Sequence, residues 1–270
     1  MTMPVYITTC LERFALTQLK PKLVPMIEPS SDASELLDAE TASLYRSMTG
    51  ALLFIANTAR PDIAFSTAYA ARSMSQPTVA SLTAVKRIWA YLSGTMTRGI
   101  VYCSSQTCTR DVLPHFVLYV DSDWASDPVG RRSTTGLIFF LAGSPVFYAS
   151  NKQSLVTLSS TESEYVALAE AGKEAIYIQA LINDLNDIKI VEPLVIMEDN
   201  KGAIDLSRSP KFHSRTKHID VRHHFIRDHI AIKAFKVEKV DTLSNLADGF
   251  TKPLTGKAFE IFASHVTRAV

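Results

Sequence analysis

Apolar positions recur at helical spacing through the first hundred residues. Leu44, Met48, Leu52 and Ile55 share one face of a helix. Ile63, Thr67, Ala71 and Met74 mark a second helix with Pro61 at its first position, and Leu82, Val85, Trp89 and Leu92 mark a third beyond Pro77. A short helix around Tyr6–Leu19 and a proline-bearing linker, Pro21–Glu40, come before them. Together these predict a small helical layer, with Arg60-Pro61-Asp62 as a helix cap. From Gly99 onward the period changes. Ile100–Cys103 predicts an edge strand and Phe116–Val120 a buried one. Thr135–Leu141 and Pro145–Ser150 flank the hairpin signal Ala142-Gly143-Ser144. Ser159 opens a helix reaching about Leu185, with Glu162 three residues on as a capping-box partner. There follow a strand Leu194–Glu198, a short helix Asn200–Ser207, a helix striped by Ile219, His223, Ile226 and Ile230, a strand Phe235–Val240 and a terminal helix Leu243–Phe250. The order predicts an α/β fold, a mixed sheet with helices on its faces, preceded by a small helical segment.

Composition narrows the picture only slightly. The chain has 270 residues, enough for one large domain or two small ones. Its net charge of +1 argues no nucleic-acid partner by itself, so any such partner must be read from local clustering. Cys10, Cys103 and Cys108 form no disulfide framework and suit a reducing compartment. The first ten residues lack the cationic start of a secretory signal, and no apolar run approaches the roughly 18 residues of a membrane helix. A cytoplasmic or nuclear protein is the default expectation, with no membrane partner.

Four carboxylates stand where ionised groups are costly. Asp121 follows the apolar run Phe116–Val120, and Asp199 follows Leu194–Glu198. Both fall just past the ends of predicted core strands, where ligand sites of open α/β sheets gather. Glu164 shares a helical face with Leu168, Ala171 and Ala175, which predicts burial. Its competing reading is an ion pair with Arg131 or Arg132. Asp248 lies in Asn245-Leu246-Ala247-Asp248-Gly249-Phe250, and alone it reads as a first-turn aspartate favoured by the helix dipole. Clustered anions oppose one another's ionisation unless a cation lies between them. Two hard cations about 3.5–4 Å apart, held by carboxylates, would suit in-line attack on a phosphodiester.

Six segments, in order and spacing, resemble the ribonuclease H domain of copia-type LTR retrotransposon Pol polyproteins. They are Tyr119-Val120-Asp121-Ser122-Asp123-Trp124-Ala125, Arg132-Ser133-Thr134-Thr135-Gly136, Ser159-Ser160-Thr161-Glu162-Ser163-Glu164-Tyr165, Glu198-Asp199-Asn200-Lys201-Gly202-Ala203, the stretch from His213 to Asp220, and Leu246-Ala247-Asp248-Gly249-Phe250-Thr251-Lys252-Pro253-Leu254. Upstream, Tyr45–Gly50 and Arg60–Ala64 resemble the segment joining reverse transcriptase to ribonuclease H, and residues 4–26 resemble the end of the polymerase. The resemblance implies a ribonuclease H-like mixed five-stranded sheet. It also implies an endonuclease, a hydrolase using two Mg²⁺ ions (Mn²⁺ as substitute), that cuts the RNA strand of an RNA–DNA hybrid. It carries catalytic and metal-binding roles to Asp121, Glu164, Asp199 and Asp248, with Asp220 a rival for the fourth place. No polymerase activity is expected, since Ser122 breaks the echo of a Tyr-x-Asp-Asp motif. The expected organisation is a polymerase-tail remnant and linker at 1–40, a helical connection at 41–98, the ribonuclease H-like domain at 99–255 and a tail at 256–270.

Residues 208–236 hold eight Lys/Arg against Asp220 and Asp228, a basic segment suited to phosphates or a solvated helix face. Arg215 and Lys217 are the expected phosphate contacts. Ser122 and Asn200, each beside an expected metal ligand, are the candidates for reading a 2′-hydroxyl. Trp124 reads either as a stacking surface or as a structural lid. The alternative function is a retroelement-derived fragment co-opted, without catalysis, as a binding or secreted effector protein with a host partner. The chain contains no Arg-x-Leu-Arg motif that would favour it.

Overall fold

A computed structural model describes residues 1–28, 34–102, 116–185, 193–208 and 220–269, apart from the side chains of residues 220, 221 and 223. The expected roles of Arg215, Lys217 and the Asp220 carboxylate, and the reading of Cys103 and Cys108, lie outside the described residues. The chain divides into two compact units, one of Met1–Tyr102 with Lys252–Val270, the other of Cys103–Thr251.

The first unit begins with helices α1 (Pro4–Arg13), α2 (Ala39–Thr58), α3 (Ala64–Ala71) and α4 (Val79–Ser93) and a short strand β1 (Arg98–Gly99). Helix α1 ends earlier than its pattern suggested. In α2 the predicted stripe is buried at Met48, Leu52 and Ile55, but Tyr45 takes the inward position that Leu44 was expected to fill, and Leu44 is exposed. Asp38 caps α2 by accepting the N–H groups of Glu40 and Thr41. Arg60-Pro61-Asp62 makes no side-chain cap. It is a buried ion pair: Arg60 donates to both Asp62 oxygens at 2.7 and 2.8 Å and to Thr95, while the Tyr91 hydroxyl donates to Asp62. An arginine at 0% exposure requires such satisfaction of its charge. Burial pushes the Asp62 carboxyl up, but the Arg60 guanidinium and its hydrogen bonds outweigh it and hold the group below the usual carboxylate range.

The second unit is built on strands β2 (Phe116–Asp123), β3 (Thr134–Leu141), β4 (Ser144–Lys152), then helix α5 (Ser160–Asp184), strand β5 (Leu194–Glu198), helices α6 (Lys201–Arg208) and α7 (Asp220–Ala231), and strand β6 (Phe235–Lys239). They form the mixed five-stranded sheet, ordered β4-β3-β2-β5-β6. The β2–β3 and β3–β4 pairs are antiparallel, and β2–β5 and β5–β6 are parallel. The β3–β4 turn is Ala142-Gly143, both at positive φ, as a two-residue hairpin with native twist demands. Helix α5 buries Tyr165, Leu168, Ala171 and Ala175 against Leu118, Val120, Leu137, Ile196 and Phe235. The expected terminal helix at 243–250 is instead two 3-10 turns, Thr242–Ser244 and Leu246–Phe250. Asn245 between them is extended, and its side chain caps the second turn.

The chain ends back in the first unit. Helix α8 (Gly256–Val266) buries Phe259, Phe262, Ala263 and Val266, and strand β7 (Arg268–Ala269) pairs antiparallel with β1. Residues 256–269 therefore pack within the first unit, where a tail was expected. Of the expected edge strand at 100–103, the described residues 100–102 are not in a strand, and the short strand lies at Arg98–Gly99, where β7 supplies its partner.

Candidate active site

Each acidic side chain is brought to the site by a separate local device. Central strand β2 delivers Asp121, which is 5% exposed. Three contacts fix the turn Leu246–Phe250 beside it. Asn245 donates through Nδ2 to the Val120 carbonyl at 2.9 Å, hooking the turn to the residue before Asp121. Gly136, opposite Asp121 in the β2–β3 register, leaves room for the turn. A Cβ there would lie 2.7 Å from both the Ala247 carbonyl and Thr251 Cγ2. Thr251 then donates its hydroxyl to Asp121 Oδ2. These contacts place Asp248 at the carboxylate of β2.

Helix α5 starts with Ser159 accepting the Glu162 N–H at 3.2 Å. Glu162 reaches back one residue beyond the expected box, its Oε2 accepting the Leu158 N–H at 2.7 Å. Buried Gln153 donates to the Ser163 carbonyl and to Thr135 Oγ1, tying the helix start to the sheet. Glu164 follows, 6% exposed. Arg131 and Arg132 sit exposed on a loop that Asp127 organises by accepting the Gly130 N–H and pairing with Lys152. At the end of β5, Asn200 caps α6 by accepting the Ala203 N–H at 3.0 Å, which sets Asp199 at the rim.

Two overlapping triads result. Single ligand atoms of Asp121, Asp199 and Asp248 lie within 4.8 Å of one another, and so do those of Glu164, Glu198 and Asp199. All four carboxylates expected from the sequence are therefore neighbours, linked through Asp199. Glu198 is a fifth that sequence reasoning left as an ordinary strand residue. Its signal was present: the period-two pattern of β5 sets it on the inward face with Leu194 and Ile196. Burial pushes the Glu198 carboxyl well above its usual range, and the charges of Asp199 and Asp121 add to that. The Asn200 N–H, which favours the charged form, opposes the shift. An all-carboxylate oxygen set suits a hard divalent cation.

The expected substrate contacts fare differently. Ser122 is 7% exposed and, by strand alternation, shares the Val120 face rather than that of Asp121. Asn200 has its carbonyl oxygen committed to the α6 cap. Trp124 is half exposed and donates its indole N–H to the Thr157 carbonyl at 3.2 Å. In the basic segment, Arg208 donates to the Val237 carbonyl and Arg227 to that of Leu206, so both serve the fold.

No protein-family model matches the chain. A retrovirus-related Pol polyprotein from transposon RE1 of Arabidopsis thaliana is 38% identical over 263 residues, covering 97% of this chain and 17% of that polyprotein. Secreted RxLR effector protein 161 of Plasmopara viticola is 40% identical over 134 residues, which is 50% of this chain and 90% of that protein. This chain belongs to the copia-type transposon Pol polyprotein family. It spans under a fifth of the length of the full Pol polyproteins it matches. Among solved structures, LC11-RNase H1 in complex with an RNA/DNA hybrid aligns with 50% of the Pol segment and 93% of its own chain, at 12% identity and a TM-score of 0.38. Among the described residues of the Pol segment, no helix is long and apolar enough to cross a membrane.

Proposed function

We propose that this Pol segment is a ribonuclease H-type endonuclease that cuts the RNA strand of an RNA–DNA hybrid with two bound Mg²⁺ ions. The observation that carries the reading is the convergence of Asp121, Glu164, Asp199 and Asp248 from four separate elements onto one rim of the sheet. These four residues would hold the ions, and Mn²⁺ would fit the same oxygens. Ions held there would supply an activated water for in-line attack and charge neutralisation at the leaving oxygen. The protein's own part is positional. Thr251 holds Asp121 in one orientation, Asn245 and Gly136 fix the turn that presents Asp248, and the capped start of α5 presents Glu164. Phosphates of the hybrid would be met by Arg215 and Lys217, and the 2′-hydroxyl by the Asn200 amide. The compartment in this reading is cytoplasmic or nuclear.

The deciding experiment uses a labelled RNA–DNA hybrid, with duplex DNA and duplex RNA as controls. The expected result is Mg²⁺-dependent cleavage of the RNA strand alone, abolished by Asp199→Asn. A folded wild-type protein that leaves the hybrid intact defeats the reading. The similarity to an effector-named protein would then favour a role in binding a host protein, without catalysis.

A further inference from the structure

Glu198 is fully buried at the end of β5. Its Oε1 accepts the Asn200 N–H at 2.9 Å, whereas its buried Oε2 has no hydrogen-bond partner. One of its carboxylate oxygens lies within 4.8 Å of ligand atoms from both Glu164 and Asp199. An apolar residue at this inward position would continue the Leu194–Ile196 pattern and avoid the cost of an incompletely satisfied carboxylate. A purely structural role for Glu198 accounts for Oε1, which supports the turn between β5 and α6. It leaves Oε2 unexplained.

We infer that Glu198 is a fifth metal-binding carboxylate, closing with Glu164 and Asp199 a cation position that adjoins the one made by Asp121, Asp199 and Asp248. A divalent cation bound through Oε2 would satisfy the orphaned oxygen and favour the charged form of all three carboxylates. The inference rests on the nuclease reading, in that both need a metal at this rim, and it adds a ligand to that reading.

The test is calorimetric titration of the full chain with Mn²⁺ alone, without nucleic acid, together with the rise in melting temperature that Mn²⁺ produces. Glu198→Gln keeps the side-chain volume and the oxygen that accepts from Asn200, and removes only the charge. Wild type is expected to show two binding events, one of which weakens roughly tenfold or more in Glu198→Gln while the other is little changed. The metal-free variant should melt no lower than wild type, and Mn²⁺ should raise its melting temperature less. Glu198→Asp, which keeps the charge but withdraws it by one methylene, should weaken the same event. Wild-type Mn²⁺ affinity in both variants overturns the inference and leaves the nuclease reading standing. Equal weakening of both events also overturns it, because that is the signature of lost charge at a distance. A wild-type protein that binds no Mn²⁺ overturns both.

Discussion

Thr251 and Asp121 are separated by 130 residues of sequence and joined by one hydroxyl proton. The same hydroxyl lies 3.1 Å from the Asp248 carbonyl, so Thr251 stands between two of the acidic residues of the site. A buried carboxylate deprived of a donor costs about 1–3 kcal/mol. Thr251→Val is therefore expected to lower the melting temperature of the metal-free protein and to slow hybrid cleavage, while Thr251→Ser retains both properties. Saturating Mg²⁺ should recover part of the lost stability in Thr251→Val, because the cation relieves the charge that the hydroxyl served. Melting curves of the three proteins with and without Mg²⁺ decide the matter, and identical curves for the valine variant would refute the role. At this scale the sequence was informative where chemistry is local. Asp121, Asp199 and Glu164 each follow or share an apolar pattern that periodicity exposes, whereas Asp248 by itself reads as an ordinary first-turn aspartate. Glu198 is equally legible from alternation with Leu194 and Ile196, although a strand-terminal acid more often faces water. The Thr251 and Asn245 contacts were not legible, because spans of 130 and 125 residues leave no periodic trace.

Among the elements, the turn Leu246–Phe250 matters most and its pattern was the most misleading. Its residues read as a helix, yet Asn245 interrupts it and the turn closes as a 3-10 segment. What holds it against the sheet is the absence of a side chain at Gly136. In Gly136→Ala the new methyl would lie 2.7 Å from the Ala247 carbonyl and 3.0 Å from Phe250 Cβ. Backbone must move to relieve that contact, at a cost of about 1–3 kcal/mol, and Asp248 moves with it. The expected outcome is a folded protein with lowered stability, weakened Mn²⁺ binding and slow hybrid cleavage. If the alanine variant cleaves at the wild-type rate, the clearance at Gly136 does not position Asp248. The five strands of the mixed sheet and the long helix α5, by contrast, fall within a few residues of their expected bounds. Alternation in β2 and β5 and the Ser159 cap are strong local signals, and the sheet that follows from them agrees with each. Arg60-Pro61-Asp62 shows the opposite case. Its residue types suited a cap, and only the packed unit reveals that both charges are buried against each other.

The division of the whole molecule does not follow the chain order. Residues 252–270 leave the unit that contains the acidic site and complete the helical one. The stripe that does this, Phe259, Phe262, Ala263 and Val266, has offsets of three, four and seven, so its helix was legible even though its destination was not. Phe259 packs edge-to-face on Tyr91 with ring centroids 5.5 Å apart, and Tyr91 in turn donates to buried Asp62. Burying Phe259, Phe262 and Val266 contributes about 1.5–3 kcal/mol each, a sum comparable to the total stability of a small domain, about 5–15 kcal/mol. A chain ending at Thr255 should therefore lose the ordered packing of residues 1–102, exposing Tyr91 and opening the Arg60–Asp62 pair to water. Limited proteolysis followed by mass mapping is the measurement. The full chain should resist cleavage in α2 and α4, and the shortened chain should be cut there first. An unchanged cleavage pattern would mean that α8 is dispensable and that the helical unit is stable on α1 to α4 alone. The Thr255 chain retains Asp121, Glu164, Asp199 and Asp248, so calorimetry with Mn²⁺ on the same sample also asks whether the acidic site depends on the helical unit at all.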